Sequence, residues 1–399
     1  MNAEKDYKFY LIPLANQVIG AIFYVFLIFQ FTDIEIANIG SIISLIGMIS
    51  PLVLLRLDIF ITHSKGLGHQ EVVVFYSSVL STFLIGMTLG LMFFWVFVDY
   101  FVVANVESVI IILCIVIQIQ GLLVNGILVN KQKLLTITRL RLYNFLASIF
   151  FIPIIIYCEN LYLAAIFLAC KNNFSFCLYY MIKLKIFYWY HNEKTSLNES
   201  VIKLIKLRKK WLPLLADFTL NQGFVHAQIL LLAFLQPTLG SAVFIVNALA
   251  TNMNAVYSKT FGLKLIVDAQ KETSKIVLNF IKQTAIRSLF ILSVAWFALF
   301  VIIRIANNIE LENYFYAFTV CLPFIYMQLI VSSSTQYYLI LNKANVLLKY
   351  NFIAGLVRLT LYAICLYAMN DMLYSFAISN FVYYVMHLRL LYRNIDVHN

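Results

Sequence analysis

Apolar residues run along this chain in blocks of roughly 20, each long enough to cross the hydrocarbon core of a bilayer as one helix. The blocks are continuous rather than alternating, which favours helices over the strands of a barrel. They predict about twelve transmembrane helices, at residues 8–31, 34–55, 72–98, 106–130, 142–158, 160–181, 211–236, 239–262, 285–306, 313–342, 346–368 and 372–391. The fifth is short, with room to extend into the loop before it. Thr32-Asp33, Glu159-Asn160, Gln236-Pro237 and Asn370-Asp371 mark tight turns. The longest polar stretch lies between the sixth and seventh spans. It divides the chain into an N-terminal six-helix bundle (1–182), a basic cytoplasmic linker (183–210) and a C-terminal six-helix bundle (211–399). The expected class is all-α and polytopic.

Composition and charge refine this reading. Hydrophobic residues make up 62% of the 399 positions and charged residues 12%. A soluble domain would be about a quarter charged, so there is too little polar surface to cover a globule in water. The net charge of +11 would point to nucleic acid in a soluble protein. Here the basic residues sit in alternate loops, so no nucleic-acid partner is expected. Segments after even-numbered spans carry Arg56, Lys65, Lys131, Lys133, Arg139, Arg141, a lysine-rich stretch from Lys183 to Lys210, and Lys343. Turns after odd-numbered spans carry Asp33, Glu35, Asp99, Glu159, Glu310, Glu312 and Asp371, with Arg304 as the basic exception. The positive-inside bias then puts both termini in the cytoplasm, the first span acting as an uncleaved helix. Richness in Ile, Phe, Tyr, Lys and Asn points to an AT-rich bacterial genome, and the expected location is a bacterial inner membrane. Six scattered cysteines show no metal spacing and read as small apolar packing residues.

No HExxH, GxSxG, Walker A or dinucleotide motif occurs, and the outer loops are too short for a catalytic domain. The chain is therefore not expected to be an enzyme, and no catalytic residue, metal or cofactor is assigned. Charge within the spans is the informative signal, because it costs roughly 2.5–3.5 kcal/mol in hydrocarbon even on lenient scales. Lys171 and Arg358 lie near mid-span. Asp217 and His226 share the seventh span. At 100° per residue, Asp217, Asn221 and Gln228 fall within about 40° of one another. The eighth span carries the row Asn247, Thr251, Asn254 and Ser258, and the tenth Gln328, Ser332, Thr335 and Asn342. On the fourth, Gln118 and Asn125 share a face. Such rows either glue helices together or line a wet cavity. Two buried cations favour the cavity and an anionic cargo. Rows of amides and hydroxyls suit sugars.

Two stretches resemble the polysaccharide-biosynthesis flippases, the Wzx-type O-antigen transporters of the MOP (MATE-like) exporter superfamily. One is Leu54-Leu55-Arg56-Leu57-Asp58-Ile59-Phe60-Ile61, followed by a polar turn and Gln70-Glu71. There Leu57 replaces the family's aromatic, and His63-Ser64-Lys65 replaces a more acidic stretch. The other runs from Trp211-Leu212-Pro213 through Leu239-Gly240-Ser241-Ala242 to Tyr257-Ser258-Lys259-Thr260-Phe261. The resemblance implies two six-helix bundles around a central cavity. It also implies an undecaprenyl-pyrophosphate-linked oligosaccharide as cargo, for O-antigen or capsule assembly. Membrane lipids and other polysaccharide-assembly membrane proteins are the further partners expected. In that scheme Lys171 and Arg358 hold the phosphates, and Arg56 is a gate or first phosphate contact. Asn221, Gln228, Asn247, Thr251, Asn254, Gln118, Asn125 and Gln328 line the sugar path. Asp217 is the candidate site for coupling to an H+ or Na+ gradient. An ion-coupled drug or metabolite exporter of the same superfamily is the alternative. A membrane-embedded polysaccharide enzyme ranks behind it.

Overall fold

The computed structural model describes residues 3–58, 61, 80, 84, 102–131, 133–183, 202, 205–256, 273–306, 309–334 and 344–396. Among them there is no strand. The helices are α1 (Ala3–Gln30), α2 (Asp33–Val53), α3 (Val102–Asn130), α4 (Leu134–Cys158), α5 (Leu161–Cys170), α6 (Phe174–Lys183), α7 (Arg208–Phe218), α8 (Phe224–Leu235), α9 (Pro237–Val256), α10 (Thr273–Ala306), α11 (Ile309–Ser334), α12 (Ala344–Met369) and α13 (Met372–Asp396). A π turn, Thr219–Gly223, joins α7 to α8. Seven helical stretches among the described residues are long and apolar enough to cross a membrane. All but residues 80 and 84 of the predicted third span, the parts of the eighth and tenth spans beyond Val256 and Ser334, and most of the linker lie outside the described residues.

The punctuating residues end and start helices as their chemistry requires. Thr32 Oγ1 accepts the Glu35 N–H at 3.4 Å, while Glu35 Oε2 accepts the Thr32 N–H at 2.9 Å. This reciprocal pair starts α2. Glu159 takes the left-handed conformation (φ 46°) after α4, and Asn160 Oδ1 accepts the Leu163 N–H at 3.1 Å to start α5. Asn370 is also left-handed (φ 50°), and Asp371 Oδ1 accepts the N–H groups of Leu373 and Tyr374. The fifth span does extend backwards, starting at Leu134, and the ninth starts earlier than expected, at Thr273.

Packing divides the chain into two compact units, Met1–Asn16 with Ser41–His226, and Gln17–Gly40 with Ala227–Asn399. In the first, α3 packs against α4, α5 and α6. Its core includes Leu57, Leu123, Val124, Ile127, Leu140 and Phe176. In the second, α11 packs against α9, α10 and α13, and α13 also against α12. The outer helices turn apolar faces outward. On α10, Phe290 is 70% exposed, with Ile286, Leu289 and Phe297 on the same side. Inside, the two units bury Lys171, Arg358, Asn144, Gln228, Asn380 and His387. Apolar outside and polar inside is the arrangement a bilayer solvent selects.

Candidate functional site

In the first unit, the sixth span is two helices rather than one. It breaks at Lys171-Asn172-Asn173, and the backbone carbonyls there need donors that hydrocarbon lacks. Side chains of neighbouring helices supply them. Gln118 Nε2 donates to the Ala169 carbonyl at 3.0 Å, and Asn144 Nδ2 to the Asn172 carbonyl at 2.7 Å. Asn144 Oδ1 accepts the Ser175 N–H at 2.8 Å, and Ser175 Oγ donates to the Leu140 carbonyl at 2.6 Å. Gly121 lets α3 approach this break: a Cβ there would lie 2.4 Å from Cβ of Asn173. Lys171 caps the C-terminal end of α5, where the helix dipole favours a cation, and is 7% exposed. The buried thiols of Cys114 and Cys170 are hydrogen-bonded beside it.

The same unit contains the Arg56 turn and the seventh span. Leu55 and Arg56 both have φ of 53°, a left-handed pair that side chains other than glycine rarely adopt. The pair throws the Arg56 guanidinium over the Phe218 ring, 4.9 Å from its centroid, with Nε 3.8 Å from Asp58 Oδ1. Further along α2, the His226 ring packs against Gly47. Contacts with α2 and the turn that follows it therefore flank the π turn on both sides. Such turns recur at functional sites because they carry an extra residue that shifts the helical register. Here the shift breaks the expected stripe. Angles for an ideal helix do not carry from Asp217 across Thr219–Gly223 to Gln228, and Asn221 and Gln228 belong to different units. Asp217 lies on α7; its side chain is outside the described residues.

In the second unit, polar groups gather on α8, α11, α12 and α13. Arg358 sits mid-way along α12 with 0% exposure. Its guanidinium lies 4.2 Å from the Tyr383 ring centroid, and Nη1 is 3.4 Å from Asn380 Oδ1. Asn380 Nδ2 continues the chain to Gln228 Oε1 at 3.2 Å. Tyr383 packs on His387 (ring centroids 4.5 Å apart) and edge-on to Tyr384, whose hydroxyl bonds Gln328 and Ser332. Gln228 Nε2, Gln328 Oε1, Asn351 Oδ1 and His387 Nε2 have no protein hydrogen bond among the described residues. Buried polar atoms of this kind demand water or a polar ligand.

Two further features belong to this unit. At the end carrying the acidic turns, the Tyr314 hydroxyl donates to Asp33 Oδ1 at 2.5 Å and lies 3.1 Å from Ser241 Oγ, which is itself 3.2 Å from Asp33 Oδ1. This clasp joins the starts of α2, α9 and α11. On α9, Asn247 and Asn254 are half-buried and Thr251 is exposed, bordering a buried face that includes Ala242, Val243, Val246 and Ala250.

The predicted residues thus sort by use. Gln118 holds the α5–α6 break. Asn125 is half-buried on α3, its Oδ1 without a protein partner. Gln228, Gln328 and Arg358 share one cluster, whereas Lys171 belongs to the other unit. The two cavities described, both in the second unit, are lined by neither cation. The sequence reading missed Asn144, Asp33, Ser241, Tyr314, Asn380, Tyr383 and His387. Asn380, Tyr383 and His387 had a signal: spacings of three and seven put them on one face of α13. Among the described residues no group of three His, Cys, Asp or Glu side chains could hold a metal ion.

No protein-family model matches the sequence, and no curated protein matches it. Solved structures match in fold. An outward-facing multidrug resistance MATE family transporter of the MOP superfamily aligns at TM-score 0.54 and 13% identity, over 98% of this chain and 95% of that one. An inward-facing conformation of a multidrug resistance MATE family transporter aligns at 0.53 and 13%, over 100% and 96%. A MATE protein in complex with MaD3S aligns at 0.53 and 13%, over 98% and 94%. At this identity the likeness is one of fold: twelve helices in two bundles, all-α and multi-pass.

Proposed function

We propose that this chain, folded as those transporters are, is a flippase. Its cargo is an undecaprenyl-pyrophosphate-linked oligosaccharide, moved from the cytoplasmic to the outer leaflet of a bacterial inner membrane. The observation that carries the reading is Arg358: a guanidinium fully buried at mid-span, solvated by Asn380 and the Tyr383 ring. The Asn380 amide and the Tyr383 ring hold the cation at mid-span. In a low-dielectric interior that charge attracts a phosphate strongly. Lys171, at its helix break, offers a second cation. The exposed hydroxyl of Thr251 and the half-buried amides of Asn247 and Asn254 suit sugar hydroxyls, while the apolar outer faces leave the polyprenyl tail in lipid. The two sequence halves rock to expose the cargo to either side. Arg56 acts as the cytoplasmic gate, and Asp217 couples the movement to an H+ or Na+ gradient.

The test replaces Arg358 and Lys171 with Ala, singly, in a strain that depends on this chain. Lipid-linked intermediate is then measured on each leaflet at matched expression. Accumulation on the cytoplasmic leaflet is expected for both, with partial recovery in Arg358→Lys. Normal outer-leaflet delivery in both Ala variants would remove the phosphate site. The second reading, export of drugs or metabolites, is favoured by the multidrug resistance transporters among the fold matches. It requires efflux of cationic aromatic compounds by the reconstituted protein, with no effect on the lipid-linked intermediate.

A further inference from the structure

At the acidic-turn end of the second unit, a cavity of about 500 Å³ opens between three chain reversals. The α8–α9 turn contributes Gln236 and Thr238, the start of α11 contributes Asn313 and Tyr316, and the α12–α13 turn contributes Asn370 and Asp371. Its volume falls in the range of about 300–1,000 Å³ typical of small-molecule sites. We infer that this cavity is a binding site for one or two neutral sugar residues, taking the cargo's glycan at the outer face.

The lining selects the ligand. Three carboxamides present donors and acceptors side by side, matching vicinal hydroxyls that both give and accept hydrogen bonds. Asp371 uses Oδ1 to accept the N–H groups of Leu373 and Tyr374, which fixes the carboxylate; those bonds do not use Oδ2. The Tyr316 hydroxyl bonds that of Tyr374 at 3.1 Å, steadying an exposed ring at the rim. Ala242, Ala317 and Leu373 give small apolar patches against which the C–H face of a pyranose can lie. Among the described residues no lysine, arginine or histidine lines the cavity. Arg304, the basic exception at this end, instead lies over the Phe300 ring at 5.4 Å. One carboxylate with no cation repels uronic acids and phosphates. The phosphate chemistry belongs with Arg358 and Lys171, so the site is suited to the sugar end of the cargo alone.

The place of this site in a transport cycle rests on the flippase reading; the binding chemistry does not. The test uses the full chain in nanodiscs and saturation-transfer NMR with N,N′-diacetylchitobiose, maltose and digalacturonic acid as probes. At least one neutral disaccharide should bind. Asn313→Ala and Tyr316→Ala should each weaken it by about fivefold or more, the effect of one lost hydrogen bond, with melting temperature unchanged. Digalacturonic acid should bind more weakly than the neutral probes. Asp371→Asn keeps the helix cap and should narrow that gap between acidic and neutral sugars. The inference is overturned if neither neutral disaccharide binds, if both Ala variants bind as the parent does, or if the acidic sugar binds equally well. Sugar binding with normal leaflet distribution in the Arg358 and Lys171 variants would leave this site standing and remove only the phosphate site.

Discussion

The Asp33–Tyr314–Ser241 clasp makes a quantitative prediction about movement. It ties the start of α2, from the first sequence half, to the starts of α9 and α11, from the second. All three residues belong to the second unit, so the clasp is a tie within that unit, and breaking it is a local opening at the acidic-turn end. Tyr314→Phe removes the 2.5 Å donor to Asp33 and leaves the ring packing intact. A charge-assisted hydrogen bond of this kind contributes roughly 1.5–3 kcal/mol. Its loss therefore shifts the balance between joined and parted ends by roughly 10- to 150-fold. Asp33→Asn should act in the same direction. The two should be less than additive when combined, because they remove the same bond. The assay is pulsed electron resonance between spin labels at Ile34, 63% exposed, and Tyr367, 94% exposed. A background free of native cysteine is needed, since Cys158 is exposed. The long-distance population should grow in both variants. An unchanged distance distribution in both, with an unchanged melting temperature, refutes the local opening and makes the clasp a static tie.

Two stability predictions follow from the first unit, each read as the melting temperature of the purified protein. Gly121→Val should destabilise by about 1–3 kcal/mol through overpacking, because even its Cβ meets Asn173 at 2.4 Å; Gly223→Ala, whose Cβ has its nearest neighbour 3.9 Å away, should be neutral or mildly stabilising. Asn144→Ala strips the Asn172 carbonyl of its donor and the Ser175 N–H of its acceptor. At roughly 1–3 kcal/mol for each buried group left unsatisfied, it should cost more than Ser148→Ala, whose hydroxyl serves only the Asn144 carbonyl of its own helix.

The spans were legible because hydrocarbon permits few alternatives: a run of about 20 apolar residues must satisfy its backbone internally, and a helix does so. The turns were legible because Thr32, Asn160 and Asp371 do local work, bonding N–H groups two or three residues away. What the sequence hid was non-local. The break at Lys171-Asn172-Asn173 is marked by three polar residues inside an apolar run. Its stability, however, depends on Gln118, 51 residues from the carbonyl it serves, and on Asn144, 28 residues from its own. The π turn has no signature that 3.6-residue arithmetic can register, and so the ideal-helix angles drawn from Asp217 and Asn221 to Gln228 do not carry across it. Arg358 was visible as a buried cation, but its partners Asn380 and Tyr383 come from α13 and could not be assigned from α12 alone.

The polar inventory of a membrane bundle divides into groups that hold helices together and groups with bonding capacity left over. Gln118, Asn144 and Asn130 are of the first kind, each donating an amide to a backbone carbonyl of another segment. Around Arg358 the balance differs: Gln228 Nε2, Gln328 Oε1, Asn351 Oδ1 and His387 Nε2 are buried polar atoms with no hydrogen bond among the described residues. Replacing that cluster with apolar residues of equal volume would avoid the desolvation of a guanidinium. Its presence at mid-span therefore needs a reason other than packing, and a charged, hydroxylated cargo supplies one. The same logic assigns a division of labour within the second unit. The guanidinium lies deep in its interior, while the carboxamide-lined cavity lies at one end, with no cation among the described residues that line it. Under the proposed flippase reading, the anionic and sugar parts of one cargo, joined end to end, would meet these two chemistries separately.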